Sequence, residues 1–302
     1  VGHRSAECMP VYKRITEALK PVFRTTRDVY RATSSATFLM EAALTSLVER
    51  DVLHLTNGAF SERWREIGQS LGRASDQIAA PWGEIADPEL VRQALRRKRY
   101  EAVTVAHNET STGVANPLRE IARVVREESE ALLLVDAVSS LAGLPLESDA
   151  WGLDFVFAGV QKGLATPPGL TVFTFSERAE AKAETIPHRG YYGDLLRYRD
   201  KHREGGPITT AAVSIAWALD LALARIAREG MEARWARHTT MQRQTAGWAA
   251  ARGFAFASAA NGRSATVSCL RPPAGCEARA LVAALKERGY TLGGGYGRFK
   301  ES

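Results

Sequence analysis

The chain has 302 residues, 45% of them hydrophobic, which is enough for one large domain with a buried core and a smaller one beside it. Its 40 basic and 34 acidic residues leave a net charge of +6, a balance that favours anionic ligands such as phosphate and carboxylates. The longest apolar stretch, 211–227, carries Asp220 and Arg225 at helical spacing and is too polar and too short for a membrane span.

Taken in order, the patterning predicts a helix over 9–22, a strand over 29–32, a helix over 38–49 and a strand over 52–55. A helix over 61–71, a strand over 77–79, a helix over 88–95 and a strand over 102–106 follow. Next come a helix over 117–127 and two strands, 131–135 and 155–160. This alternation is the mark of an α/β domain with a mostly parallel sheet, in which ligands bind beyond the carboxyl ends of the strands. From residue 211 the pattern changes to long helices over 211–227 and 231–251, a strand over 265–270 and a helix over 277–288. A domain boundary is therefore expected near Gly230, giving a large domain 1–230 and a smaller α+β domain 231–302.

The basic cluster Arg96–Arg99 closes a predicted helix, where cations complement the negative end of the helix dipole. It lacks the aromatic interleaving of an RNA-binding surface, so no nucleic-acid partner is expected. Cys8, Cys269 and Cys276 form no CxxC pair, which fits a reducing cytoplasm, and no clustered ligands suggest a metal. The start Val1-Gly-His-Arg4 has no Met and no leader. That start, and the stop at Glu301-Ser302, suggest a chain cut at both ends. Gly293-Gly-Gly-Tyr-Gly297 follows a helix rather than a strand, which argues against a dinucleotide loop.

Lys162 follows the apolar strand 155–160, and Asp136 closes the strand 131–135. An amine and a carboxylate at two strand ends are what pyridoxal phosphate chemistry requires, the first for a Schiff base and the second for the pyridine nitrogen. A plain strand-end Asp capping the turn through Ser139 and Ser140 is the competing reading.

The ordered blocks Asn57-Gly-Ala-Phe60, His107-Asn-Glu-Thr-Ser-Thr-Gly113, Val135-Asp-Ala-Val-Ser-Ser-Leu-Ala-Gly143, Trp151-Gly-Leu-Asp154, Gln161-Lys162 and Pro167-Pro-Gly-Leu170 resemble the class V aminotransferases. Within that family they resemble the alanine/serine–glyoxylate group, over nearly the whole chain. The resemblance implies a fold-type I, α/β, pyridoxal 5'-phosphate-dependent homodimer, with a sheet sandwiched by helices and a smaller C-terminal domain. It implies transfer of an amino group from a small amino acid to a 2-oxo acid such as glyoxylate or pyruvate. Phosphoserine aminotransferases and desulfurase-like lyases are the alternatives.

It also assigns roles. Lys162 would carry the cofactor and Asp136 would hold its pyridine nitrogen. Phe60 would stack on the ring, where many members have Trp, and core packing is the other reading of that side chain. Ser35, Ala36 and Thr37 match the phosphate loop, although members often have Gly at the position of Ala36, and an ordinary helix cap is compatible with that role. Thr110 matches a hydroxyl close to the ring and Gln161 a phosphate contact; desulfurases typically carry His at the latter position. Thr210 matches a segment that reaches the partner subunit's phosphate, but Pro207 and Ala211 depart from the pattern, and a simple helix cap fits as well. The family's substrate-carboxylate arginine is expected just beyond Ser302.

Overall fold

A computed structural model describes residues Gly2–Lys300. It begins with α1 (Cys8–Phe23), β1 (Tyr30–Ala32), α2 (Ala36–Leu47), β2 (Asp51–Thr56), α3 (Ala59–Ser70) and β3 (Ala74–Ala79). There follow α4 (Pro88–Arg97), β4 (Ala102–Ala106), the short strands β5 (Asn108–Glu109) and β6 (Val114–Ala115), α5 (Leu118–Glu128), β7 (Leu132–Asp136), β8 (Phe155–Gly159) and β9 (Thr171–Phe175). The chain continues through α6 (Glu177–Thr185), α7 (Leu195–Arg203), α8 (Val213–Glu229), α9 (Met231–Ala251), β10 (Ala255–Phe256), β11 (Leu270–Arg271) and α10 (Ala278–Glu287).

Seven strands form one sheet in the order β1-β9-β8-β7-β4-β2-β3. Strands β3, β2, β4, β7 and β8 are mutually parallel, and β9 runs antiparallel to both of its neighbours. Two reversals restore the direction, so β1 points the same way as β8. The carboxyl ends of β1, β8, β7, β4 and β2 thus share one edge of the sheet. Strands β4, β7, β8 and β9 are buried at every position, because helices cover both faces. One face packs on α1, α4, α5 and α8 through residues such as Ile15, Leu19, Ile121 and Leu219. The other packs on α2, α3, α6 and α7 around Trp64, Phe157 and Phe173.

Local signals explain several helix starts. Asp87 caps α4 by accepting from the Glu89 N–H at 2.8 Å, with Pro88 at the first helical position. Ser176 and Asp194 cap α6 and α7 in the same way. The basic run at the end of α4 is taken up by carboxylates: Arg96 forms a two-pronged pair with Glu128, and Lys98 bridges Asp51 and Asp76.

The structure departs from the sequence expectations in three places. Strand β9 and helices α6 and α7 were not anticipated; β9 spans five residues buried throughout and lacks a two-residue alternation. The strand expected over 265–270 shrinks to Leu270–Arg271, because Ser264 Oγ captures the N–H groups of Thr266 and Val267 at 3.0 and 3.1 Å and turns the backbone. Helix α8 starts at Val213 rather than 211, since the Ala212 N–H is bound by Thr33 Oγ1 at 3.1 Å. The readings of the chain's two ends rest on Val1, Glu301 and Ser302, which lie outside the described residues. Among the described residues no helix is long and apolar enough to cross a membrane.

Candidate active site

Asp136 ends β7, and Val160-Gln161-Lys162 extends the neighbouring parallel strand β8 past the same edge. The Asp136 side chain is buried, and its Oδ1 accepts from the Val138 N–H at 2.8 Å. Among the described residues no lysine or arginine pairs with it at ion-pair distance. Burial pushes its carboxyl from 3.8 up to about 7, against the pull of the Val138 amide; the Glu109 charge adds to the rise, while Arg63 and Lys162 oppose it. Lys162 is exposed just past the end of the neighbouring parallel strand.

The loops that bear these two residues are tied to each other. A Cβ on Gly163 would lie 2.2 Å from the Leu141 carbonyl oxygen, so only glycine lets the lysine loop approach that closely. Arg234 of α9 donates to the Ala142 carbonyl at 2.9 Å and to the Gly163 carbonyl at 2.6 Å, and is itself held by Glu229 at 2.8 Å. Thr166 closes the lysine loop by donating from Oγ1 to the Val160 carbonyl at 3.0 Å. Nothing in the sequence pattern marked Arg234, because its partners lie 92 and 71 residues away.

Phe60 sits half-buried in the first turn of α3, just past the end of β2. The buried carboxylate of Glu109 binds the start of this helix, accepting from the N–H groups of Phe60 and Ser61 at 3.1 and 2.9 Å and from the Ser61 and Ser111 hydroxyls at 3.0 and 2.7 Å. Gly58 is needed beside it, since a Cβ there would meet Glu109 Cγ at 2.3 Å. The Tyr296 ring stacks on Phe60 with centroids 5.2 Å apart, and its hydroxyl accepts from Arg63 at 2.8 Å. Thr110 Oγ1 donates to Ser139 Oγ at 2.7 Å, which places it against the turn that follows Asp136.

At the other end of the site, Ser35 precedes α2 in an extended conformation (φ −84°, ψ 159°) and its side chain does not cap the helix. The amides of the first turn, including those of Ala36 and Thr37, are thus left without a side-chain acceptor at a positive helix end. Ser34 Oγ lies 2.8 Å from Thr171 Oγ1, and Thr171 pairs with Gly159, so this helix start abuts the end of β8. Gln161 folds its amide back over Gly159. Thr210 is exposed and its carbonyl accepts from Thr33 Oγ1 at 3.4 Å, which sets it beside the same loop of its own chain.

The sequence-predicted residues therefore gather along one edge of the sheet. A buried carboxylate lacking a cation, an exposed amine, an aromatic face and an uncapped helix start form a donor set that fits pyridoxal phosphate: pyridinium, aldehyde, ring and phosphate in turn.

A family model described as aminotransferase class V matches residues 4–296. An uncharacterized aminotransferase of Methanocaldococcus jannaschii is 36% identical over 282 residues, covering 92% of this chain and 73% of that protein. A serine–glyoxylate aminotransferase of Methylorubrum extorquens is 33% identical, covering 93% and 73%. Among solved structures, an alanine–glyoxylate aminotransferase from Nostoc sp. superposes with a TM-score of 0.92 at 31% identity, covering 100% of this chain and 81% of that one.

Proposed function

The chain belongs to the class V aminotransferases, pyridoxal-phosphate-dependent transaminases of fold type I, and we propose that its amino donor is alanine or serine and its acceptor glyoxylate or pyruvate. The names of the Methylorubrum and Nostoc relatives support that choice. The observation that carries the reading is the placement of Asp136 and Lys162 at the carboxyl ends of adjacent parallel strands.

Bound here, the cofactor supplies a ring that accepts electrons from the substrate Cα. Asp136 would hold the pyridine nitrogen in its protonated form, and that cation would return the carboxyl to its ionised state. Lys162 would hold the cofactor's aldehyde carbon and, once free, would take the proton from the substrate Cα onto its Nζ and return it to the former aldehyde carbon. Phe60 would pack on the ring, in a helix fixed by Glu109. Thr110 and the Ser139 hydroxyl it bonds would orient the ring edge nearest Asp136. Ser35, Ala36, Thr37 and Gln161 would bind the phosphate, joined by Thr210 from the partner subunit of a homodimer. A cytoplasmic location and a division of the chain at Gly230 belong to the same reading.

The test is spectroscopic and chemical. Purified protein given pyridoxal phosphate is expected to show a visible lysine–cofactor band that Lys162→Ala abolishes. Alanine or serine should bleach that band and release one oxo acid per site. A band that survives Lys162→Ala, or sulfide release from cysteine in place of transfer, would overturn the assignment.

A further inference from the structure

A polar cavity lies beside β1 at the edge of the sheet. It is bounded by α1, β1, α7, the loop 206–211 and the start of α8, and leaves about 30 Å³ of free space, two to three times what a single water needs. Arg31 of β1 lines it, with Nη1 donating to the Tyr12 carbonyl at 3.0 Å and to Thr16 Oγ1 at 2.7 Å. Its guanidinium lies over the Tyr12 ring at 5.0 Å, and among the described residues no carboxylate stands within ion-pair distance of it. Asp28, on the approach to β1, is engaged by Lys20 and by His202 Nε2 at 3.9 and 3.7 Å. Burial pulls Arg31 down to about 10, the direction expected of a cation without a counter-ion.

Tyr12 and Tyr198 also line the cavity. Both side chains are 4% exposed, and neither oxygen has a hydrogen-bond partner of good geometry. The Tyr12 hydroxyl lies beside the Cys8 thiol and the Tyr198 hydroxyl beside that of Tyr192, which donates its own proton to the Thr33 carbonyl; neither neighbour supplies a charge. A half-buried cation with no counter-ion, beside two hydroxyls without a well-formed hydrogen bond, is a donor set that an anion with several acceptor oxygens would satisfy.

We propose that Arg31, Tyr12 and Tyr198 form a second oxyanion site, distinct from the cofactor's phosphate loop, for a small free oxyanion or carboxylate. Its place gives it a consequence. The loop 206–211 forms one wall and runs directly into the Thr210–Ala212 backbone, which is clamped to Thr33, two residues beyond Arg31. An occupant would steady the segment that presents Thr210.

The test uses the protein loaded with pyridoxal phosphate, so that the cofactor's own phosphate site is filled. At constant ionic strength, sulfate, phosphate, formate and acetate are titrated separately while the melting temperature is followed. Wild type should show a saturable rise; strength with sulfate and phosphate identifies an inorganic ligand, and strength with formate and acetate a carboxylate. Arg31→Gln should weaken the apparent affinity by at least about tenfold. Tyr198→Phe, which removes one hydroxyl and keeps the packing, should weaken it by about three- to tenfold, so the proposal stays testable if the arginine variant misfolds. Crystals of wild type soaked in selenate should show an anomalous peak beside Arg31. Superimposable titrations of wild type and Tyr198→Phe, no selenate peak at Arg31, or a carboxylate from a second copy seated on Arg31 in those crystals, would each overturn it.

Discussion

Replacing Asp136 with Asn in the cofactor-free protein tests whether the site is built around an unsatisfied charge. The folded carboxyl keeps its proton up to about pH 7, whereas an unfolded one releases it near 3.8. Between those values the folded state binds more protons than the unfolded state, so stability falls as pH rises through that window and levels off above it. The gap, at 1.36 kcal/mol per unit, amounts to about 4 kcal/mol of lost stability once the pH exceeds 7. About 2 kcal/mol of this is already lost at pH 5. Wild type should therefore lose about 2–3 kcal/mol relative to Asp136→Asn between pH 5 and pH 8, beyond any pH dependence the two share. Urea unfolding of both apoproteins at pH 5, 6, 7 and 8 measures it. Saturation with pyridoxal phosphate should remove the slope in wild type, because a pyridinium beside the carboxylate favours the ionised form that burial alone disfavours. If the two apoprotein curves run parallel across this range, the buried carboxyl is already satisfied by the protein, and its proposed role with the cofactor nitrogen fails.

Three further outcomes are expected. Glu109→Gln places an amide NH₂ against the donors at the start of α3, and should cost about 2–4 kcal/mol in urea unfolding while weakening cofactor retention by freeing Phe60. Gly163→Ala forces the lysine loop away from the Leu141 carbonyl, and should diminish the lysine–cofactor band while leaving the far-ultraviolet circular dichroism unchanged. His54 and His107 are buried and pushed down to about 3 and about 4, so each stays neutral in the fold and favours it above the unfolded value of 6.5. That contribution drains away as pH falls from 6.5 toward those values, at about 1.4 kcal/mol per pH unit for each histidine. Acid titration of His54→Asn should accordingly show a shallower decline than wild type.

The alternation of the large domain and the candidate groups proposed for the site were legible before any coordinates. Lys162 and Asp136 could be read because each directly follows an apolar strand, and the carboxyl end of such a strand is where a parallel sheet exposes side chains to a ligand. Ser35, Phe60 and Thr110 were named instead by the resemblance of their short sequence blocks to those of the class V family. These are local facts, carried by spacing over ten residues or fewer.

Other features were invisible because their causes are distant in sequence. The reversal of β9, which brings the helix start at Ser35 to the edge shared by Lys162, depends on which strands become neighbours. Arg234 clamps two loops that lie far from it along the chain, and Glu109 caps a helix that begins 50 residues earlier. The charge state of Asp136 follows from burial, a property of packing rather than of residue type. Periodicity thus determined which segments form elements and which side chains stand at their ends, since those depend on backbone geometry within a few turns. Only the tertiary structure decided what surrounds each charge, because solvation and pairing are fixed by neighbours that the chain brings together from afar.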